Sequence, residues 1–463
     1  MEAFLGKIND LVWGLPALVG ILGVGVYLTV RTGFVQLQLF PKAMARFLRM
    51  FRGRDKSSFQ SLCTALGATV GTGNLVGVAG AIALGGPGSI FWMWVCGFFG
   101  MATKYAEAVL AVRYQQKEHG EIVAGPMYIM TQGLGMRWRR LAVLYSFFGV
   151  IAAFGVGNAT QINAMVMGIR QVTGVEGQEG DLLLGIGLAL LVGLLLRGGA
   201  KGIGAATEKL VPLAAAGYIG MCILVLILRF DRVGTAFGMI FRGVLYPRAV
   251  TGGILGSAYS ALRVGCARGV FTNEAGMGTA AIAHGTAAVD HPAEQGMMGI
   301  VEVFLDTILI CTLSALVILC SDIPIPYGTD AGGKLTSDAF GAVCGGWAKL
   351  FLAGSLCCFA LATVLGWGFY GLQCARFLLG KGCEAWFVRL QMAAAVLGAV
   401  LKTGVIWTLA ETVNGLMAIP NLLALACLSG EVVSLTRDYI PRKGRQAAQR
   451  PAGGFGKFHG YGS

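Results

Sequence analysis

The chain has 463 residues, of which 56% are hydrophobic and 13% are charged, and its mean hydropathy is +0.70. A soluble domain carries about 25% charged residues, so this composition excludes a soluble enzyme of ordinary type. Apolar stretches of membrane-spanning length recur along almost the whole chain, which predicts one polytopic membrane domain. Glycine is in excess at 72 residues, and small residues allow membrane helices to pack closely.

Eleven apolar runs match the ~20 residues that a helix needs to cross a bilayer core of about 30 Å. The shortest run, 182–196, is the least well defined. The predicted spans are 11–30, 61–84, 89–112, 141–169, 182–196, 210–228, 253–285, 297–320, 346–375, 390–408 and 412–435.

The net charge of +13 is first of all a topology signal. Most Lys and Arg residues lie in alternate loops, beginning with 31–60, and in the tail 436–463. This predicts an outside N-terminus and a cytoplasmic C-terminus, although 229–252 carries basic residues outside and 284–296 has none inside. Nucleic acid binding is not expected, and contact with anionic lipids of the bilayer is a second use for the basic segments.

The span 61–84 contains a glycine-rich stretch that is a poor helix. Gly71 and Gly73 flank Thr72, and Asn74 follows; glycine costs roughly 1 kcal/mol relative to alanine inside a helix. A helix broken here would expose N–H groups that bind an anion such as a substrate carboxylate. The carbonyls that end its first half could bind a cation. A glycine-rich packing face is the alternative.

The span 253–285 has the same problem. Thr272, Asn273 and Glu274 are followed by Gly276 within one apolar run. Ionisable groups in the hydrocarbon are costly and usually mark an internal pair or a water-lined path. This pattern predicts a second break, with a re-entrant loop or an extramembrane hairpin as the alternative.

The two interruptions each head a set of five spans. Matching breaks in two halves are typical of an inverted-repeat transporter whose binding site lies at the repeat interface, although the halves share no evident residue-level identity. The predicted order is an N-terminal helix with a basic linker, a first repeat, an outside loop, a second repeat and a basic tail. These segments are 1–60, 61–228, 229–252, 253–435 and 436–463.

One segment, GGPGSIFWMWVCGFFG at Gly85–Gly100, resembles the signature of the alanine-or-glycine:cation symporter family, also called the sodium:alanine symporters. Ser89 and Gly97 are mild departures that bear on packing. The resemblance covers nearly the whole chain in the order of the family's blocks. The other blocks are GTGNLVGVAGAIALGGPG, KYAEAVLAVRYQ, GPMYIM, RGVFTNEAGMGTAAIAH and GWGFYG.

The resemblance implies an all-α symporter of the inner membrane that imports alanine, glycine or a similarly small neutral amino acid with sodium. It implies the five-plus-five inverted repeat of the amino acid–polyamine–cation superfamily, with broken first and sixth core helices and one extra N-terminal helix. The substrate-binding residues that it implies are Thr72, Gly73, Asn74, Gln161, Phe271, Thr272, Asn273, Glu274, Gly276, Thr363 and Trp367.

A zwitterionic substrate needs donors for its carboxylate and acceptors for its ammonium group. The backbone of the first break would supply the donors, and Glu274 with the carbonyls of the second break would supply the acceptors. Glu274 could instead cap the broken helix or pair with Arg268. Trp367 and Phe271 would close the pocket or serve as ordinary packing. Gln161 could equally bond to a neighbouring helix.

For sodium, the resemblance implies carbonyls before the first break and a hydroxyl on the eighth core helix, which are Gly67, Val70 and Thr363 here. Coupling to protons is the alternative. Its candidate carriers are Glu107, Glu274, Glu302 and Asp306.

Two pairs of charged residues have a structural alternative. Lys104 and Glu107, three residues apart, are expected to form a local ion pair or part of a gate. Glu302 and Asp306, four residues apart, could form a polar pair facing the bundle.

Other classes of function fit less well. A channel would need a continuous pore with rings of charged groups or carbonyls, and the sequence shows two breaks only. No catalytic constellation is evident, so the chain is not expected to be an enzyme. A receptor role stays open at this stage.

Overall fold

A computed structural model of the chain describes residues 9, 12–53, 55–118, 120–174, 177–246, 251, 258–329, 332–401 and 404–448. The described chain is almost entirely helical. Its one antiparallel hairpin pairs β1, Gln116–Glu118, with β2, Glu121–Val123.

The first half of the chain contains helices that alternate with short connections. They are α1 Leu15–Arg31, α2 Val35–Gln38, α3 Phe40–Met50, α4 Lys56–Thr69, α5 Val78–Gly85, α6 Gly88–Arg113, α7 Pro126–Tyr128, α8 Arg139–Phe154, α9 Thr160–Thr173, α10 Gln178–Leu196, α11 Gly199–Leu228 and α12 Phe230–Leu245. Wider π-helical segments follow α7 at Ile129–Gly133, precede α5 at Gly73–Gly77 and join α8 to α9 at Gly155–Ala159.

The second half continues in the same way. Its helices are α13 Ala258–Asn273, α14 Thr279–His284, α15 Pro292–Val303, α16 Cys311–Cys320, α17 Gly332–Cys344, α18 Gly346–Leu379, α19 Glu384–Val400, α20 Gly404–Cys427 and α21 Ser429–Ala448. A π-helical segment, Phe304–Ile310, joins α15 to α16.

Each of the eleven predicted runs overlaps a helix or a helix pair. Among the described residues, seven helices are long and apolar enough to cross a membrane, and two bent pairs also qualify if each counts as one span. The least well defined run, 182–196, is confirmed as α10, and the run 210–228 lies within the longer α11. The protein is therefore a multi-pass membrane protein.

The first predicted break is confirmed. Helix α4 ends at Thr69, and the chain bends by 48° before Gly73–Gly85 continues. The second predicted break is confirmed as well, because α13 ends at Asn273 and α14 begins only at Thr279. The start of that predicted span, 253–257, lies outside the described residues.

The predicted span 412–435 is bent rather than straight. Helix α20 ends at Cys427, and the chain turns by 59° before the next helix. The apolar run is interrupted there by Ser429, Gly430 and Glu431.

Helices also occur in segments that were predicted as linker or loop. Helix α3 lies in 31–60, and α12 lies in 229–252 and packs against α6 and α16. Both are amphipathic helices whose charged residues lower the hydropathy of any long window. A search for apolar runs therefore passes over them.

The bundle has a buried centre and an apolar outer surface. Most side chains of α6 are buried, and the helix packs against α13 and α15. Helices α10 and α11 instead turn large apolar side chains outwards, with Leu183 72% and Leu213 75% exposed. Lipid is the solvent that matches such a surface.

Some of the excess glycine allows backbones to touch. A Cβ atom on Gly88 would lie 2.4 Å from the carbonyl carbon of Gly243, so α6 and α12 could not approach as closely with any larger residue. This is the packing role that small residues play between membrane helices.

Candidate functional site

Asn74 forms hydrogen bonds across the first break. The side-chain oxygen of Asn74 accepts a hydrogen bond from Gly71 N at 2.9 Å, and Gly71 O accepts one from Asn74 N at 3.3 Å. Val70 ends α4 in an extended conformation. Asn74 therefore stabilises the start of the second half-helix, with its side chain fully buried.

The first break also contacts α9. Thr72 Oγ1 donates to Gln161 Oε1 at 3.3 Å, and Gln161 Nε2 donates to Val156 O at 3.1 Å, a carbonyl in a π-helical segment. The structure thus brings Gln161 to the predicted site. Asn163, two residues on, donates instead to Gly398 O at 3.2 Å and links two helices.

The second break needs unusual backbone conformations. Gly276 and Gly278 have φ values of +94° and +79°, and Glu274 has φ +53°. Glycine reaches this region without penalty, whereas other residues rarely do. Asn273 supports the turn, because its Oδ1 accepts from Ala275 N at 2.9 Å and its Nδ2 donates to Thr307 Oγ1 at 3.2 Å.

The two breaks touch each other. A Cβ atom on Gly73 would lie 2.8 Å from Cγ2 of Thr272, and one on Gly71 would lie 2.6 Å from Oγ1 of Thr363. These glycines leave no room for a side chain. The structure therefore places the backbone of the first break against the second break and against α18.

Glu274 bonds to neutral donors. Thr279 Oγ1 donates to Glu274 Oε2 at 2.7 Å, and Trp367 Nε1 donates to Glu274 Oε1 at 3.0 Å. Thr279 is the first residue of α14, so Glu274 ties the two sides of the break together. The alternative pairing with Arg268 is not formed, because Arg268 lies 3.9 Å from Glu411 instead.

Sequence reasoning missed the role of Glu107 and Asn421, which together hold the second break. Glu107 Oε1 accepts from Gly276 N at 3.0 Å, from Gly278 N at 3.1 Å and from Asn421 Nδ2 at 2.8 Å. Asn421 also donates to Gly276 O at 2.9 Å. An amide directly after Pro420 within an apolar run was the available signal for Asn421.

The expected local pair of Lys104 with Glu107 is wrong. Lys104 Nζ bonds to Glu302 Oε1 at 3.0 Å, and His284 Nε2 bonds to Glu302 Oε2 at 2.8 Å. All three side chains are buried. Glu302 also does not form a pair with Asp306, which accepts instead from Asn74 Nδ2 at 2.7 Å.

Two of the three residues predicted for sodium, Gly67 and Thr363, are in contact. Thr363 Oγ1 donates to Gly67 O and to Phe359 O, each at 3.1 Å, and Val70 is buried at the end of α4. The arrangement offers oxygen atoms of the kind that bind hard cations.

Two open cavities reach the first break from one end of the bundle. A cavity of about 690 Å³ is lined by Thr72 and Met167, and one of about 540 Å³ by Thr72, Gly73 and Phe271. A third cavity, of about 400 Å³, opens at the hairpin end and reaches Thr64. Of the three cavities, the two at the α9 end are those that reach the break.

Comparison with known proteins decides the family. The sequence pattern of the sodium:alanine symporter family matches residues 1–452. The chain belongs to this family. The proteins of the sodium:alanine symporter family are transporters.

Relatives agree with this family, and one solved structure shows a similar fold. The chain is 42% identical to the sodium/alanine symporter AgcS of Methanococcus maripaludis, over 94% of this chain and 97% of AgcS. It is 36% identical to the probable sodium/glutamine symporter GlnT of Bacillus subtilis, over 96% and 91%. The fold is similar to that of MhsT in complex with L-phenylalanine, with a TM-score of 0.56, 15% identity and coverage of 82% and 97%.

Proposed function

We propose that this chain is a secondary active symporter that imports a small neutral amino acid, alanine or glycine or both, together with sodium. The observation that carries the proposal is the contact between the two broken spans at Gly73 and Thr272, beside a cavity that reaches the same point. Transporters of this general design bind substrate and ion between discontinuous helices near the bilayer midplane.

The substrate carboxylate would bind the backbone of the first break. The N-terminus of the half-helix that begins at Gly73 favours an anion through its N–H groups and its dipole. Thr72 and Gln161, which are bonded to each other, flank this position. Because both side chains are neutral, they would orient the carboxylate and would not neutralise its charge.

The substrate ammonium group would lie toward the second break. Glu274 is the one carboxylate among the predicted site residues, and its described partners, Thr279 and Trp367, are neutral. Its charge is therefore open to a cationic ligand. Carbonyls of the irregular backbone between Phe271 and Gly276 would complete the acceptors.

Close packing supports a small substrate. Gly71 and Gly73 leave no space for even a methyl group, and Trp367 is fully buried above the second break. In a hydrophobic pocket, one extra methylene on the substrate changes the binding free energy by only ~1–3 kcal/mol. Strong exclusion of larger amino acids would therefore come from steric overlap of their side chains with the pocket wall.

Sodium would bind Gly67, Val70 and Thr363. The name of the relative AgcS specifies sodium, and the Thr363 hydroxyl lies 3.1 Å from Gly67 O. Ion and substrate would then share the first break, since Gly67 and Val70 precede it and Gly73 follows it. Two ligands that contact the same break can change each other's affinity.

Transport would proceed by alternating access in the inner membrane of a bacterial-type cell. The repeats predicted at 61–228 and 253–435 would supply the two sides that move relative to each other. The cavities at the α9 end would face outside, in accord with the predicted outside N-terminus and cytoplasmic C-terminus.

Proton coupling is the second candidate. Glu107, Glu274 and Asp306 are buried carboxylates whose described partners are neutral groups, and intramembrane carboxylates commonly carry protons. A channel is a weaker candidate, because the described cavities approach the first break from one end and reach only Thr64 from the other.

Uptake into proteoliposomes tests the proposal. Labelled alanine or glycine should accumulate when an inward sodium gradient is present and should not when choline replaces sodium. Accumulation driven equally well by a proton gradient without sodium would contradict sodium coupling. Absence of accumulation under either gradient would contradict symport altogether.

A further inference from the structure

A cavity of about 540 Å³ lies where the end of α1 meets the start of α21. It is an open cavity on the outside of the bundle, and none of its residues belongs to the proposed substrate or sodium site. The lining residues are Val30, Arg31, Gly430, Val433, Ser434 and Arg437.

Each wall of the cavity is one face of a regular helix. On α1, Val30 and Arg31 follow Tyr27 at spacings of three and four residues, so the three side chains share a face. On α21, the lining positions 430, 433, 434 and 437 have the same spacing. The neighbouring face of α21, with Val432 and Thr436, is buried against the bundle. Two rigid elements therefore fix the shape of the cavity.

The cavity contains two arginines without a counter-charge. Arg31 and Arg437 are exposed, and no carboxylate of the described residues forms an ion pair with either of them. The acidic residues of α21 contact other groups, since Glu431 lies 3.0 Å from Arg113 and Asp438 lies 3.5 Å from His291. The cavity thus offers two positive charges and the Ser434 hydroxyl to an anion.

Contacts with both helices position Arg31. Its guanidinium group lies 5.5 Å from the centre of the Tyr27 ring, a cation–π contact, and the Tyr27 hydroxyl is 3.0 Å from Ser429 Oγ. A Cβ atom on Gly430 would meet only Arg31 Nη2, at 3.9 Å. Arg31 therefore faces α21 with space beside it, and a planar guanidinium group binds two oxygens of a phosphate at once.

The surface that leads to the cavity is apolar. Val19, Val26 and Val30 lie along one side of α1, and all three are exposed. Tyr27, also exposed, is a residue type that is enriched where a helix leaves the membrane. A ligand that fits this surface has an anionic head and an apolar tail.

We propose that the cavity between α1 and α21 binds an anionic phospholipid. Arg31 and Arg437 contact the phosphate of its headgroup, Ser434 donates a hydrogen bond to it, and the acyl chains lie along the exposed valines of α1. The predicted orientation places this end of α1 at the cytoplasmic leaflet, where anionic lipids attract basic residues. The bound lipid joins the N-terminal helix to the C-terminal helix and so stabilises the fold.

Thermal unfolding of the purified full-length protein in detergent tests this inference. The melting temperature is measured at constant ionic strength with increasing phosphatidylglycerol, with phosphatidylcholine of the same acyl chains, and with inorganic phosphate. A ligand that binds only the folded protein raises the melting temperature. We expect phosphatidylglycerol to raise it more than the other two, because phosphatidylcholine has no net charge and inorganic phosphate has no acyl chains.

Substitution of the two arginines tests the site itself. Arg31→Gln and Arg437→Gln should each raise the phosphatidylglycerol concentration for half-maximal stabilisation ~5-fold, and the double variant should raise it ~20-fold or more. Both side chains are exposed, so the variants are expected to fold. If the double variant does not fold, the two single variants carry the test.

Arg389→Gln is the matched control. Arg389 is exposed, its guanidinium group lies 5.0 Å from the centre of the Trp386 ring, and it does not line the cavity. This variant loses the same charge and the same kind of aromatic contact, so it should respond to phosphatidylglycerol as the wild type does. A loss equal to that of Arg31→Gln would assign the effect to net charge and overturn the site.

Two further results would overturn the inference. Equal stabilisation by phosphatidylglycerol and phosphatidylcholine would show that the headgroup charge is not recognised. Equal stabilisation by inorganic phosphate would identify free phosphate as the ligand. Because no amino acid or sodium gradient enters this experiment, its failure would leave the proposed transport function to be judged by uptake alone.

Discussion

Trp367 Nε1 donates a hydrogen bond to Glu274 Oε1 across 3.0 Å, which joins α18 to the second break. Thr279 donates to the other carboxylate oxygen at 2.7 Å. Both donors are neutral, and no cationic side chain pairs with Glu274 within the described chain. The carboxylate is therefore held in place with its charge still available to a ligand.

Glu274→Gln should weaken alanine binding. The variant keeps an oxygen for Trp367 but removes the charge that the substrate ammonium group would meet. Loss of one charge-assisted hydrogen bond costs ~1.5–3 kcal/mol, which corresponds to a roughly 10- to 100-fold loss of affinity. Calorimetric titration with L-alanine at saturating sodium measures this change.

Trp367→Phe is the matched variant for Glu274. It keeps an aromatic ring and removes only the neutral donor, so its effect on alanine affinity should be smaller, about 2- to 10-fold. If Glu274→Gln bound alanine with wild-type affinity, the Glu274 carboxylate would only join the two sides of the second break and would not bind the substrate.

Gly73→Ala should abolish alanine binding while leaving the protein extractable in folded form. Its Cβ would lie 2.8 Å from Cγ2 of Thr272, so the two breaks would have to separate. Gly77→Ala is the matched control in the same π-helical segment, because nothing lies within 4 Å of a Cβ there. Binding by Gly73→Ala equal to that of Gly77→Ala would show that the contact between the breaks is dispensable.

The sequence predicted both breaks because their cause is local. Glycines beside Asn74 and Glu274 are poor helix formers within apolar runs, and that pattern needs no knowledge of the neighbours. Helix boundaries were less predictable. The helix α12 and the helix that follows Cys427 are amphipathic segments, and hydropathy alone does not register how such segments pack.

The partners of the buried charges could not be predicted from spacing. Lys104 and Glu107 are three residues apart, which favours a pair on one helix, yet the fold sets Lys104 against Glu302 and Glu107 against the backbone of Gly276. Contacts between helices that are far apart in the sequence determine the partners of both residues. Asn421 was missed for the same reason.

Lys104→Met should destabilise the protein. Its ammonium group is the partner of Glu302 at 3.0 Å, and both side chains are essentially inaccessible. Removing one member of a buried ion pair leaves an uncompensated charge and costs ~3–5 kcal/mol. The melting temperature of the detergent-purified protein should fall markedly. The double variant Lys104→Met with Glu302→Gln should recover part of this loss, because no buried charge remains unpaired.

An exposed pair serves as the control for Lys104. Lys349 lies 3.4 Å from Asp338, with both side chains about half exposed, and exposed pairs contribute ~0–1 kcal/mol. Lys349→Met should therefore shift the melting temperature little. Equal shifts in Lys104→Met and Lys349→Met would mean that the buried pair contributes no more than a surface pair.

Cysteine labelling should show which side of the membrane leads to the first break. Met167→Cys lies in the cavity that reaches Thr72, and we expect a membrane-impermeant maleimide to label it from outside, more slowly when alanine and sodium are present. Ser57→Cys lies in the opposite cavity and should be labelled only from the cytoplasmic side. The experiment needs a background without the exposed Cys427. Labelling of Met167→Cys only from the cytoplasmic side would reverse the predicted orientation, since the cavity would then open inward.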